Sequence, residues 1–138
     1  TLADDSGIVV DALGGAPGVY SARYGTPELD DSGRRRLLLT NVNALGDVNR
    51  SARFVCVIAV VTPTGQELLS EGVCEGQIAD VEAGEGGFGY DPIFVPEGYQ
   101  HTFGELDQTI KTEISHRKKA VAKMADFLLH QEKKVNNF

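Results

Sequence analysis

Tryptophan is absent from this 138-residue sequence, methionine occurs once, cysteine twice, and aromatic residues make up only 7%. With so few large rings, the core must be assembled mainly from Val, Ile, Leu and Phe, and any ring set in a polar stretch stands out. The two cysteines, Cys56 and Cys74, fall in candidate neighbouring strands without C-x-x-C spacing. They read as reduced core thiols, not as a metal or redox site. Long apolar runs are missing too. The longest, Phe54 to Val61, is far too short to span a bilayer, and no basic-then-apolar segment opens the chain. Positive charge is scarce, with 13 Lys and Arg against 20 Asp and Glu and a net charge of −7. Neither nucleic acid nor a membrane is therefore expected as a partner, because a wide nucleic-acid footprint needs a basic face. A small anionic ligand stays open, since it needs only a few local cations or a metal.

What is present, 41% hydrophobic and 24% charged residues, fits one globular domain over residues 1–138 with a real core, in a cytoplasmic protein. Leu2 and Ala3 read as the end of a strand, Asp4-Asp5-Ser6-Gly7 as the turn out of it, and Ile8 to Val10 as a second apolar stretch. A Gly- and Pro-rich segment, Leu13 to Gly25, leads to a helix that Asp30, Asp31 or Ser32 can cap, with Leu37, Leu38, Val42 and Leu45 as its apolar stripe and Gly46 as its stop. Arg34, Arg35 and Arg36 read as its solvated face. Arg53 to Val61 suits a strand buried on both faces, Thr62 to Gly65 a turn, and Glu67 to about Ala83 a returning strand broken at Gly72 and Gly76. The last third reads as helical, with Val121, Met124, Phe127 and Leu128 facing inward.

Three stretches carry chemistry. Successive strand residues point to opposite faces, so only one of Asp4 and Asp5 faces a given site unless the turn breaks the alternation. A carboxylate there suits Mg²⁺ or a water to be deprotonated; an Asx turn with both groups solvated is the plainer reading. In ISHRKKA, Ile114 to Ala120, Ser115 as a helix cap would crowd four cationic or titratable residues at the positive helix end. A bound anion would make that arrangement favourable. The alternative is a single longer helix from about Thr109 with these residues in its middle. Finally, GEGGFGYDP, Gly84 to Pro92, contains a G-x-G-x-x-G spacing, yet Pro92 and Pro96 exclude the helix that a dinucleotide loop requires. Such a loop, with Phe88, Tyr90 and Asp91, either stacks on a planar ligand or forms a tight turn with core aromatics.

ADDSG (Ala3 to Gly7), GAPGVYSARY (Gly15 to Tyr24), GEGGFGYDPIF (Gly84 to Phe94) and KTEISHR (Lys111 to Arg117) closely resemble the inosine triphosphate pyrophosphatase family, also called Ham1-like. The four blocks stand in family order along the chain. The resemblance implies an α/β fold with a long, bent mixed β-sheet flanked by helices, a homodimer, and Mg²⁺-dependent hydrolysis of ITP, dITP and XTP to the monophosphate and pyrophosphate. It implies Asp5 as proton acceptor and metal ligand, and Ser6 as a substrate contact. Phe88 would stack on the base with Gly89, Tyr90 and Asp91 completing the loop, and Lys111, His116 and Arg117 would read the 6-keto purine edge. The runner-up is a nucleotide-binding module without hydrolysis.

One departure from the family pattern follows. The glycine-rich S/T-G-N-x-x-K segment and the metal-site Glu after it do not precede ADDSG in this sequence, which begins at Thr1. The expectation is a chain lacking the N-terminal part of the fold.

Overall fold

The computed structural model describes residues 1–135, with side chains through residue 130. An α/β fold results, built on a four-stranded sheet in the order β1-β2-β3-β4: β1 is Leu2–Val10, β2 Ser51–Val61, β3 Glu67–Ile78 and β4 Phe94–Pro96. All three pairings are antiparallel, so the mixed sheet implied by the resemblance is corrected among the described residues. Thr62 to Gly65 makes so tight a connection between β2 and β3 that only an antiparallel pair can form there.

Asp4-Asp5-Ser6-Gly7 is not a turn. β1 runs straight through it, pairing Asp4 with Ile58, Asp5 with Val57 and Ser6 with Cys56. Turn-forming side chains lose here to the ladder offered by a Val-rich neighbour, a tertiary override of local preference. In β2, Ala52, Phe54, Cys56 and Ile58 are buried, while the odd-numbered residues from Ser51 to Ala59 are half-buried, so β2 is not enclosed on both faces as expected. β3 likewise passes unbroken through Gly72 and Gly76.

Helix α1, Asp31–Ala44, is capped by Asp30, whose carboxylate accepts from the Gly33 N–H at 2.7 Å. Leu38 and Val42 are buried beneath it, and Gly46 follows with φ 77°. Helices α2, Gln108–Ile114, and α3, His116–Val135, are separate, because Ser115 between them is extended with ψ 147°. The Ser115 Oγ accepts from the Lys118 N–H at 3.1 Å, as a helix cap does. α3 lies across β2 and β3 and buries Ala120 and Met124 against Cys56 and Ile58. Val121, Phe127 and Leu128 are exposed, contrary to the inward stripe expected. Beyond Met124, residues 125–130 of α3 are all exposed.

The main core joins Ile8 and Val10 of β1, Phe54, Cys74, Phe94 and Phe103, with the Phe54 and Phe94 rings 4.6 Å apart. Both cysteines are buried free thiols. Among the described residues, no helix is long and apolar enough to cross a membrane.

Candidate active site

A cavity of about 500 Å³ opens between β1, the glycine loop before β4 and the junction of α2 with α3. Ser6, Phe88, Gly89, Tyr90, Asp91, Lys111, His116 and Arg117 all line it. These eight residues lie up to 111 positions apart in the chain, the separation between Ser6 and Arg117, and strand pairing and helix packing bring them to one place.

The loop is organised by Asp91, which is 3% exposed and follows glycines that free the backbone around it. Its Oδ2 accepts from the Phe88 N–H at 3.0 Å and forms an ion pair with the Lys111 Nζ. Gly87, at φ 69°, brings its backbone against that carboxylate, and a Cβ would collide with it. Lys111 is itself buried and sits 4.3 Å from the centre of the Phe88 ring. A buried ammonium is tolerable because a carboxylate and an aromatic face replace its water. Phe88, by contrast, is 75% exposed and presents its other face outward, where a planar ligand can stack.

Tyr90 points inward. Its hydroxyl donates to the Ser21 carbonyl at 2.6 Å, and burial pushes its pKa up to about 12, so it stays a neutral donor. Ser21 ties the same region to β1, its Oγ accepting from the Ile8 N–H at 2.9 Å and donating to the Gly18 carbonyl at 2.6 Å. Sequence reasoning missed Ser21, a small polar residue whose partners become apparent only in three dimensions.

At the cationic end, Arg117 forms an ion pair with Asp4 and reaches the Ser6 hydroxyl at 3.3 Å. His116 stacks on Phe54, with ring centroids 5.0 Å apart and an interplanar angle of 16°. Burial first, and then the positive charges of Arg117, Lys111 and Lys119, lower its pKa to about 4. The ring is therefore neutral near pH 7, with its Nδ1 buried and without a hydrogen-bond partner among the described residues.

Asp5 lies elsewhere. The strand alternation holds, so Asp4 shares a face with Ser6 and Arg117 while Asp5 points to the opposite face, into a second cavity of about 380 Å³ beside Val55, Val57 and Ala59. Among the described residues, no three His, Cys, Asp or Glu side chains come together as a metal cage. A Mg²⁺ ion is commonly held by one or two carboxylates plus phosphate oxygens, so the exposed Asp5 fits it as a single protein ligand. The arginines of α1 also depart from expectation: Arg36 is 72% exposed, but Arg35 is only 13% exposed and Arg34 16%.

The sequence model of the Ham1 family matches residues 1–127. A dITP/XTP pyrophosphatase of Desulforamulus reducens is 50% identical over 135 residues, covering 95% of this chain and 67% of that protein. One of Oceanobacillus iheyensis is 44% identical over 127 residues, covering 92% of this chain and 64% of that protein. The solved structure of a HAM1 protein from Coxiella burnetii superposes with a TM-score of 0.86 at 43% identity, covering 94% of this chain and 66% of that one. The Ham1 protein of Staphylococcus aureus gives 0.86 at 42%, with coverages of 94% and 67%. This chain thus spans 64–67% of the length of these relatives. The expectation of an N-terminally incomplete fold is not borne out by these matches, since a difference in length does not say which segments of the relatives lie outside them.

Proposed function

The chain belongs to the Ham1 family, and we propose on that premise that it binds the deaminated purine nucleotides ITP, dITP and XTP and takes part in their hydrolysis to monophosphate and pyrophosphate. The observation that carries the reading is the Phe88, Asp91 and Lys111 cluster: one exposed ring over one buried, carboxylate-held ammonium. The ring offers a stacking surface, worth roughly 1–3 kcal/mol per base in other nucleic-acid sites. Lys111 and Arg117 offer donors only. A 6-keto oxygen accepts those hydrogen bonds, whereas the adenine 6-amino group would set donor against donor, so the cavity rejects adenine by leaving polar groups unpaired. Neutral His116 adds a ring nitrogen without adding charge.

Asp5 is the proposed proton acceptor for the water that attacks the α-phosphorus, and the proposed Mg²⁺ ligand. When bound, Mg²⁺ would neutralise charge on the pyrophosphate leaving group. Among the described residues β1 lies at one edge of the sheet, with the base cavity on one of its faces and the Asp5 cavity on the other. Asp5→Asn keeps the side-chain size and removes the base, and should lower ITP turnover by at least ~10²-fold with little change in folding.

The placement of Asp5 on the face opposite the base cavity favours a second reading, a nucleotide-binding module without hydrolysis. Inosine monophosphate affinity by calorimetry and pyrophosphate release from ITP with Mg²⁺ present separate the two. Binding with release supports the hydrolase; binding without release supports the module; no binding of inosine or xanthosine nucleotides overturns both. A homodimer is proposed as the working assembly, supported by the exposed apolar residues along α3.

A further inference from the structure

Arg35 of α1 is the residue whose role neither its sequence neighbourhood nor the site chemistry above accounts for. Its Nε and Nη2 both donate to the Glu82 Oε1, at 2.9 and 2.6 Å. Its Nη1 donates to the Gly89 carbonyl at 2.8 Å, and its Nη2 also reaches the Ser32 hydroxyl at 3.3 Å. Arg35 is 13% exposed and does not line the cavity, so it has no direct route to a ligand.

We infer that Arg35 is a positioning residue for the Phe88 stacking ring, holding the glycine loop to α1 on either side of that ring. Glu82 stands two residues before the loop begins at Gly84, and Gly89 directly follows Phe88. The loop contains Gly84, Gly87 and Gly89 at positive φ, so its backbone has wide conformational freedom unless it is pinned. Two pins bracket the ring. The Phe88 N–H is held by Asp91, and the next peptide but one is held at its carbonyl by Arg35. The ring is 75% exposed and is met by Lys111 on one face, so most of its placement follows from that backbone. A planar guanidinium can serve the Glu82 carboxylate and the Gly89 carbonyl at once through separate N–H groups. An ammonium in its place keeps the charge but not the fork.

The affinity part of the test rests on the nucleotide reading proposed above, and the other part does not. Because the chain has no tryptophan, Phe88→Trp places a single indole at the ring position, which can be excited apart from the four tyrosines. Its anisotropy without nucleotide should fall in Phe88→Trp combined with Arg35→Met, and again with Arg35→Lys, while both proteins still unfold cooperatively. In the Phe88 background, Arg35→Met should bind inosine monophosphate about tenfold more weakly, the lower end of what loss of a supporting contact costs elsewhere. Unchanged anisotropy in a folded Arg35 variant overturns the inference, and if Arg35→Met does not fold, Arg35→Lys decides it. A parent protein that binds no inosine monophosphate overturns the nucleotide reading alone, because the nucleotide-free anisotropy still decides the role of Arg35.

Discussion

Lys111 and His116 show how single residues of this site are made usable by what surrounds them. Lys111 is buried between Asp91 and the Phe88 ring, so Lys111→Met should remove a base-facing donor and at the same time leave Asp91 without its ion-pair partner. ITP should lose more kcat/KM than ATP; an equal loss for both would assign Lys111 to the phosphates. Phe88→Ala should weaken nucleotide binding by roughly 1–3 kcal/mol with little change in melting temperature, since the ring is 75% exposed. A large stability loss with unchanged affinity would make Phe88 a core residue. His116 ties the site to pH. Its folded pKa, about 4, lies below the ordinary 6.5, so as the pH falls from 6.5 towards 4 the unfolded chain takes up the proton first. Stability contributed by the neutral ring is complete above that window and declines within it, by an amount on the order of 1 kcal/mol for a partly exposed group. Denaturation midpoints at pH 7 and pH 5 should show this slope in the wild type and a shallower one in His116→Gln. Identical slopes would mean that the ring is charged in the native state.

At the scale of elements, the close approach of α3 to the sheet sets where His116 and Arg117 stand, and Gly72 makes that approach possible. A Cβ at Gly72 would overlap the backbone of His116 and Ala120 and crowd Lys119. Gly72→Ala should therefore destabilise the protein by about 3 kcal/mol, as overpacking against an unyielding backbone does. It should also displace the first turn of α3, so that chemical-shift changes extend to Arg117. A silent substitution would show that the helix does not rest on β3 there. The two glycines of β3 were legible in the sequence as glycines within a strand, but their meaning was not. They read as breaks, because the elements they accommodate come later in the chain: the backbone of α3 at His116 and Ala120 for Gly72, and Phe94 and Val95 of β4 for Gly76. The same limit explains Arg35, whose carboxylate partner is 47 positions away. Signals that close locally were legible: the Asp30 cap, the Ser115 break, the β2–β3 turn, and the motif blocks that supply the eight cavity residues. Asp4-Asp5-Ser6-Gly7 misled because it is good turn chemistry locally, and only the register with β2 decides that it is strand.

For the molecule as a whole, two of the apolar areas exposed among the described residues bear on assembly. One is the sheet face beside Asp5, with Val55, Val57 and Ala59; the other is the outer part of α3, where Val121, Phe127, Leu128 and Leu129 are 52%, 42%, 41% and 55% exposed. A second copy seated on the sheet face would bury Asp5, which the proposed chemistry requires to meet water and phosphate. On α3, Val121 lines the base cavity, whereas Phe127, Leu128 and Leu129 line neither cavity and could be covered without blocking either. Charge works against association, since two copies at −7 repel each other, so a dimer must gain its stability from apolar burial and should persist when salt screens that repulsion. Stable dimers typically bury about 1,600 Å² in total, more than four side chains alone provide, so a dimer formed here would have to take in further residues around them. Sedimentation at micromolar concentration should give a dimer for the wild type and a monomer for Leu128→Glu combined with Leu129→Glu. The double variant should keep its melting temperature within a few degrees, because neither residue is buried in the single chain. A wild type that sediments as a monomer at every concentration and salt, or a double variant that stays dimeric, would remove α3 as the interface.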